Sequence, residues 1–214
     1  MEKILIVGAT GQTGKRVIEI LNNSKSFEPV AMIRDEEQKE EFDDMDVKWV
    51  LADLEKEVDY ALKGIDKIIF AAGSGGSTGD DKTLAVDQEG AIKMINAAKK
   101  AKIKKFIMLS SMGADEPSQY KKLESYLAAK KKADEYLIKS GVPYTIVRPG
   151  TLNDDLGLAK VKLAEKLNEK GEISRDDVAF ILAMSLADPL VNNKIFEALE
   201  GKTPIKASLI ELSR

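Results

Sequence analysis

The 214-residue sequence contains no cysteine and no histidine. The first absence excludes disulfides, thiolate metal sites and cysteine nucleophiles, and the second removes the commonest metal ligand and general base. Any chemistry must therefore use tyrosine, serine, lysine, carboxylates or a bound cofactor. Long apolar runs are missing as well. The first run, Ile4–Val7, stops at Gly8, too short for a signal peptide or a membrane span, and a cytoplasmic protein without a membrane partner is expected. There is no Pro/Ser-rich spacer, low-complexity tract or repeat, so one domain over 1–214 is expected. Neither sign of charge dominates. The 33 basic and 36 acidic residues give a net charge of −3, which provides no basic footprint for nucleic acid. Local lysine clusters do occur. Lys99, Lys100, Lys102, Lys104 and Lys105 fall where a helix should end, and Lys121, Lys122, Lys130, Lys131 and Lys132 read as a solvated helix face. The expected partner is a small molecule, bound by a monomer or homodimer.

What is present starts with Lys3-Ile4-Leu5-Ile6-Val7, then Gly8-Ala9-Thr10-Gly11-Gln12-Thr13-Gly14, then the amphipathic Val17-Ile18-Glu19-Ile20-Leu21. This strand, glycine turn and helix start form the arrangement of a dinucleotide site. Gly8 lets the chain turn off the strand, Gly11 lets a pyrophosphate approach the backbone, and Gly14 lets helix and strand pack closely. The helix start then offers free N–H groups and a positive dipole end to phosphates. The spacing is one residue wider at the front than Gly-x-Gly-x-x-Gly, so the signal comes from its position between strand and helix.

Further apolar runs recur at Val30–Ile33, Val47–Leu51, Lys67–Ala71, Phe106–Leu109 and Tyr144–Val147. Between them lie helical patterns at Gln12–Asn22, Glu36–Phe42, Asp81–Ala101, Ser118–Ser140 and Ser174–Ala187. In the third of these, Leu84, Ala91, Ile92, Ile95 and Ala98 are spaced to be buried. A last strand, Lys194–Leu199, and a helix, Ile205–Leu212, close the chain. Alternation of this kind predicts a Rossmann-type α/β fold: a doubly wound parallel sheet of order 3-2-1-4-5-6 plus an edge strand, with helices on both faces. A ligand then belongs at the carboxyl ends of strands one and four. A short lysine- and glutamate-rich segment, 151–172, lies on the substrate side.

Arg34 ends the second strand, beside an adenosine ribose. An arginine there suits a 2′-phosphate and argues for NADP, while the adjacent Asp35 could still contact a hydroxyl and leaves NAD possible. Asp53, in Leu51-Ala52-Asp53-Leu54, either accepts from an adenine amino group or caps a following helix. Ser110-Ser111 end a strand, and Tyr126 and Lys130 share a helix face at i and i+4. The ammonium can lower the tyrosine pKa from about 10 toward neutrality, and such a tyrosine can protonate a carbonyl oxygen that a serine orients. A Tyr-x-x-x-Lys in a lysine-rich helix also arises by chance; the upstream serines and glycine loop give it meaning.

The chain resembles atypical short-chain dehydrogenases/reductases of the small, single-domain NAD(P)H-binding group, and is similar to biliverdin/flavin reductases and NmrA-like proteins. The likeness covers essentially the whole chain. It runs through Gly8 to Gly14, Ala71-Ala72-Gly73, Val86-Asp87-x-x-Gly90, Ser110-Ser111 and Tyr126 to Lys130 with Ala133-Asp134. It continues in Tyr144-Thr145-Ile146-Val147-Arg148-Pro149-Gly150 and Ile173-Ser174-Arg175-x-Asp177-Val178-Ala179. The resemblance implies an Arg-Pro-Gly floor beside the nicotinamide. Cofactor contacts are expected from Gly8, Thr10, Gly11, Gln12, Thr13, Gly14, Arg34, Asp53, Leu54, Ala71, Ala72, Gly73, Ser110, Lys130, Pro149 and Gly150. Catalysis is expected from Tyr126 as proton donor, Lys130 tuning it and binding the nicotinamide ribose, and Ser111 (or Ser110) fixing the carbonyl. The pocket is expected between Ser111, Met112, Tyr126, Gly150, Thr151 and Leu152. An NADP-dependent reduction of a small planar acceptor (flavin, quinone or carbonyl) follows. The alternatives are a nucleotide-sensing regulator without catalysis and a sugar-nucleotide epimerase-like activity.

Overall fold

The computed structural model describes residues 1–73, 83–187, 189 and 191–212. Of the expected Gly73–Gly79 loop only Gly73 is described, and Asp81 and Lys82 of the expected third helix also lie outside the described residues.

The strands are β1 (Glu2–Val7), β2 (Phe27–Ile33), β3 (Lys48–Leu51), β4 (Lys67–Phe70), β5 (Lys105–Leu109), β6 (Tyr144–Pro149), β7 (Thr151–Asn153), β8 (Lys160–Ala164), β9 (Glu172–Ser174), β10 (Lys194–Glu200) and β11 (Thr203–Pro204). Nine of them form one sheet of order β11-β8-β10-β6-β5-β4-β1-β2-β3, with β7 and β9 paired separately. The expected 3-2-1-4-5-6 order is present, parallel throughout. Lys194–Leu199 is not the edge, however: β10 pairs parallel with β6, and β8 then adds antiparallel outside it. The segment 151–172 hides that strand behind its lysines, since in β8 Val161 is buried between exposed Lys160 and Lys162.

β2 begins at Phe27, earlier than the apolar run, and includes Pro29. β3 pairs only from Val30 onward, so β2 is a sheet edge at Pro29, where a missing N–H is tolerated.

The helices are α1 (Gln12–Asn22), α2 (Lys39–Asp44), α3 (Ala91–Lys100), α4 (Glu124–Ser140), α5 (Arg175–Met184) and α6 (Ile205–Leu212). One face of the sheet is covered by a core containing Val17, Ile18 and Leu21 of α1, Ile181 and Leu182 of α5 and Leu209 of α6. The other packs Met94 and Ile95 of α3 and Leu137 of α4 against Leu5, Ile68 and Phe106. Each such side chain contributes about 1.5–3 kcal/mol by leaving water, and both faces covered is what a parallel sheet requires.

Ahead of α3 runs a π-helical segment, Thr83–Gly90. Its wider turns break the helical spacing used to read the sequence, so Leu84 is 49% exposed while Asp87 is fully buried. α4 also starts later than Ser118: Pro117–Gln119 forms a separate 3-10 turn before the helix begins at Glu124. Glu36–Gln38 is likewise a 3-10 turn leading into α2. Among the described residues no helix is long and apolar enough to cross a membrane.

Candidate functional site

Where β1 passes into α1 the three glycines, Gly8 and Gly11 in the turn and Gly14 in the first turn of the helix, do different things. Gly8 has φ +87°, and a Cβ on it would sit 2.6 Å from the Ala72 backbone, so the chain could not leave β1 beside β4 with any side chain there. A Cβ on Gly14 would lie 2.1 Å from the Gly8 carbonyl oxygen, so helix and turn touch backbone to backbone. Gly11 is the N-cap of α1 with φ −76° and ψ 160°, a conformation any residue adopts. It is exposed, and its nearest obstacle is the Gly8 oxygen at 3.2 Å. The space above Gly11 is thus a cradle that a side chain would fill, at a helix N-terminus without a side-chain cap, and this fits a diphosphate.

From this turn a groove of about 350 Å³ runs across the carboxyl ends of β1, β2 and β3, lined by Gly8, Thr10, Gly11, Arg34, Gln38, Asp53, Leu54 and Ala71 to Gly73. Arg34 follows β2 directly, with its side chain 64% exposed and Nε 3.4 Å from the Asp35 carboxylate. Asp35 itself caps the next turn through Gln38 and does not line the groove. Asp53 caps no helix: its carboxylate accepts the Glu55 N–H at 2.9 Å, forming a local turn, and it borders the groove.

A second cavity of about 570 Å³ adjoins the first at Gly11 and Ala71 to Gly73 and extends past Gln12, Thr13, Leu109, Ser110, Tyr126, Lys130 and Leu152. Lys130 Nζ lies 5.7 Å from the Tyr126 ring centre. It is buried, paired with the buried Asp87 at 2.9 Å, and donates to the Leu109 carbonyl at 3.3 Å. Burial works against its charge, but Tyr126 and Asp87 outweigh it and hold its pKa above the ordinary lysine value. Ser110 Oγ donates to Asp134 Oδ2 at 2.8 Å, and Arg148 donates to the same oxygen twice, at 3.0 and 2.9 Å. Burial pushes the Asp134 carboxyl up, against the pull of Arg148 and Ser110.

Several expected residues stay apart from this assembly. Ser111 points its hydroxyl at the Met112 carbonyl, 3.2 Å away, and it is Ser110 that faces the cavity. Ser111, Met112, Pro149, Gly150 and Thr151 line neither cavity. Gly150 is required by packing instead: a Cβ there would meet the Gly171 oxygen and Leu199 Cδ2, each at 2.4 Å. Of the lysines expected on a solvated face, Lys130 is buried, Lys131 donates to the Asp115 carbonyl at 2.9 Å, and Lys121 and Lys122 line the second cavity.

Asp87 and Asp134 lie in the motifs that carry the resemblance but have no expected role there, and Arg148 is expected only as part of the floor beside the nicotinamide. Asp134 follows Lys130 by four positions, so the i, i+4 rule that joins Tyr126 to Lys130 also reaches it. A hollow of about 720 Å³ beside Phe27 and Trp49 lies at the amino ends of β1 and β2 and shares no residue with the site.

A family model described as NAD(P)H-binding matches residues 8–189. The chain is 44% identical to an uncharacterized sugar epimerase, YhfK, of Bacillus subtilis, over 98% of this chain and all of that one. It is 29% identical to sanguinarine reductase of Eschscholzia californica, over 91% of this chain and 87% of that one. With an NAD(P)H azoreductase of Xenophilus azovorans the identity is 28%, over 92% and 70%. A solved Bacillus halodurans protein with a provisional NAD-dependent epimerase/dehydratase name superposes with a TM-score of 0.94 at 42% identity, covering 99% of both chains.

Proposed function

The chain belongs to the NAD(P)H-binding family, and from that premise we propose that it is an NADP-dependent reductase of the short-chain dehydrogenase/reductase type that passes hydride to a small planar acceptor. The observation that carries the reading is the junction at Ala71 to Gly73. A nucleotide-sized groove ending in Arg34 meets there an open cavity holding Tyr126, Lys130 and Ser110. The reductase names of two relatives support it. Bound NADPH supplies the hydride.

The residues divide the remaining work. The Gly8–Gly14 turn holds the diphosphate, Arg34 the 2′-phosphate, and Asp53 and Leu54 the adenine side. Lys130, fixed by Asp87 and Leu109, presents its ammonium to Tyr126 and to the nicotinamide ribose. Tyr126 gives a proton to the reduced acceptor. Ser110 has its own proton committed to Asp134, which leaves the serine oxygen as an acceptor toward the cavity. That suits a ring N–H, as in a flavin, better than a bare carbonyl.

Among the described residues the cavity beside Tyr126 is open, which favours a reductase over a nucleotide sensor. An epimerase, the reading suggested by the names of two other relatives, would use the same Tyr126 and Lys130 but consume no NADPH. A nucleotide titration followed by NADPH oxidation against flavins, quinones, aldehydes and ketones decides among the three. Tight NADPH binding with no acceptor reduced above the no-enzyme rate would defeat the reductase reading. Tyr126→Phe is expected to lower turnover of a carbonyl acceptor about a hundredfold, and that of a flavin much less.

A further inference from the structure

We propose that the acceptor carries an anionic group, and that Lys121 and Lys122 bind it at the rim of the cavity beside Tyr126. This deepens the reductase reading and rests on it. The cavity wall is of two kinds. Part of it is apolar, from buried Leu109, half-buried Leu152 and the more exposed Leu123, and suits a ring system. Its charged groups are mostly cationic: Lys121, Lys122, Lys130 and Arg175 stand against Glu124 alone among the described lining residues.

Two of these cations are already matched. Lys130 is paired with Asp87 at 2.9 Å and Arg175 with Asp154 at 3.0 Å. Lys121 and Lys122 are exposed and enter no ion pair among the described residues. They are adjacent, and they lie just ahead of α4, the helix that carries Tyr126 into the same cavity. Neighbouring ammonium groups raise each other's electrostatic energy unless an anion lies between them, and a concave low-dielectric wall strengthens the field they share. A phosphate, sulfonate or carboxylate on the outer end of a planar acceptor would meet that field while its ring lies on the leucines.

Two matched pairs test this on protein loaded with NADP: flavin mononucleotide against riboflavin, and naphthoquinone sulfonate against naphthoquinone. Each pair differs only in the anion. Equilibrium binding is expected to favour the anionic member about tenfold in at least one pair, equivalent to about 1.4 kcal/mol. That preference should fall toward unity in a Lys121→Ala/Lys122→Ala variant and at high salt, with NADPH affinity unchanged. Absence of a preference in both pairs overturns the proposal. So does a double variant that keeps the preference and loses NADPH affinity, because the lysines then serve the nucleotide. Binding is read without turnover, so failure of every acceptor to oxidise NADPH would defeat the reductase reading separately and leave the anion site to be judged on the binding ratios.

Discussion

Gly11 and Gly14 stand three residues apart in one turn, yet a side chain is excluded from them for different reasons. At Gly14 the obstacle is the protein itself, the Gly8 carbonyl oxygen 2.1 Å from a would-be Cβ. Gly14→Ala is therefore expected to destabilise the fold by about 2–3 kcal/mol or more, as overpacking does, seen as a lower urea midpoint. At Gly11 the backbone is extended and a Cβ would press only on the Gly8 carbonyl oxygen, at 3.2 Å, a contact that a shift of a few tenths of an ångström relieves. Gly11→Val should keep its circular dichroism and melting temperature while losing nucleotide binding. Normal NADPH binding by that variant would mean the phosphates lie elsewhere. Arg34 offers a comparably clean test, because its neighbour Asp35 is occupied in capping and only Arg34 borders the groove. Losing a charge-assisted contact costs about 1.5–3 kcal/mol. Arg34→Ala should thus weaken NADPH about ten- to a hundredfold in a fluorescence titration and leave NADH nearly unchanged. Equal affinity of the unmodified protein for both nucleotides would remove the basis of that assignment.

At the scale of elements, what could be read from sequence was what repeats locally. The apolar strands, the glycine turn and the Tyr126–Lys130 pair all follow from short-range spacing, and each lies where that spacing puts it. Asp87 was not legible because the π-helical segment Thr83–Gly90 shifts the face that a regular helix would bury, turning Leu84 outward and Asp87 inward. Ser110 and Ser111 could not be told apart because strand periodicity ends with β5, and only the folded cavity wall, which includes Ser110 and not Ser111, distinguishes them. The inward turn of Asp87 has an energetic consequence. Lys130 is buried, and removing its counter-ion leaves a charge in a poorly solvated place, which typically costs 3–5 kcal/mol. Asp87→Asn should lower the unfolding free energy by about that amount. Adding Lys130→Met should restore most of it, since an apolar chain of similar length needs no partner. Equal stability of the single and double variants in urea titrations would show that Asp87 is not the group balancing Lys130.

Over the whole molecule, charge is arranged differently at the two ends of the sheet. The carboxyl ends hold the groove and cavity, with cations facing open space. Near the amino ends of β1, β4 and β5, cations and carboxylates are interlocked: Lys104 meets Glu2 at 3.2 Å and Asp66 at 2.8 Å, Lys67 meets Glu2 at 2.8 Å, and the Lys3 N–H donates to Asp66 at 2.9 Å. Hydrogen bonding by Lys67 and Lys104 lowers the Glu2 pKa against burial. Lys104 and the Lys3 N–H do the same for Asp66. With the folded pKa depressed, the unfolded chain binds more protons in acid. The contribution to stability is thus complete above the unfolded values near 4 and is lost as pH falls through the folded ones. These carboxylates remain partly exposed, and solvent screening keeps each contribution small, within about 1 kcal/mol. Melting temperature should accordingly stay level from pH 7 to about 5 and drop as the pH falls below about 4. Asp66→Asn should melt slightly lower at pH 7 and lose less on acidification, because the depressed carboxylate no longer titrates. If the variant's acid limb is as steep as that of the unmodified protein, the proton uptake comes from other carboxylates, such as Asp176, whose pKa is lowered by the Gly157 N–H and Arg16. Asp66 would then contribute nothing to acid sensitivity.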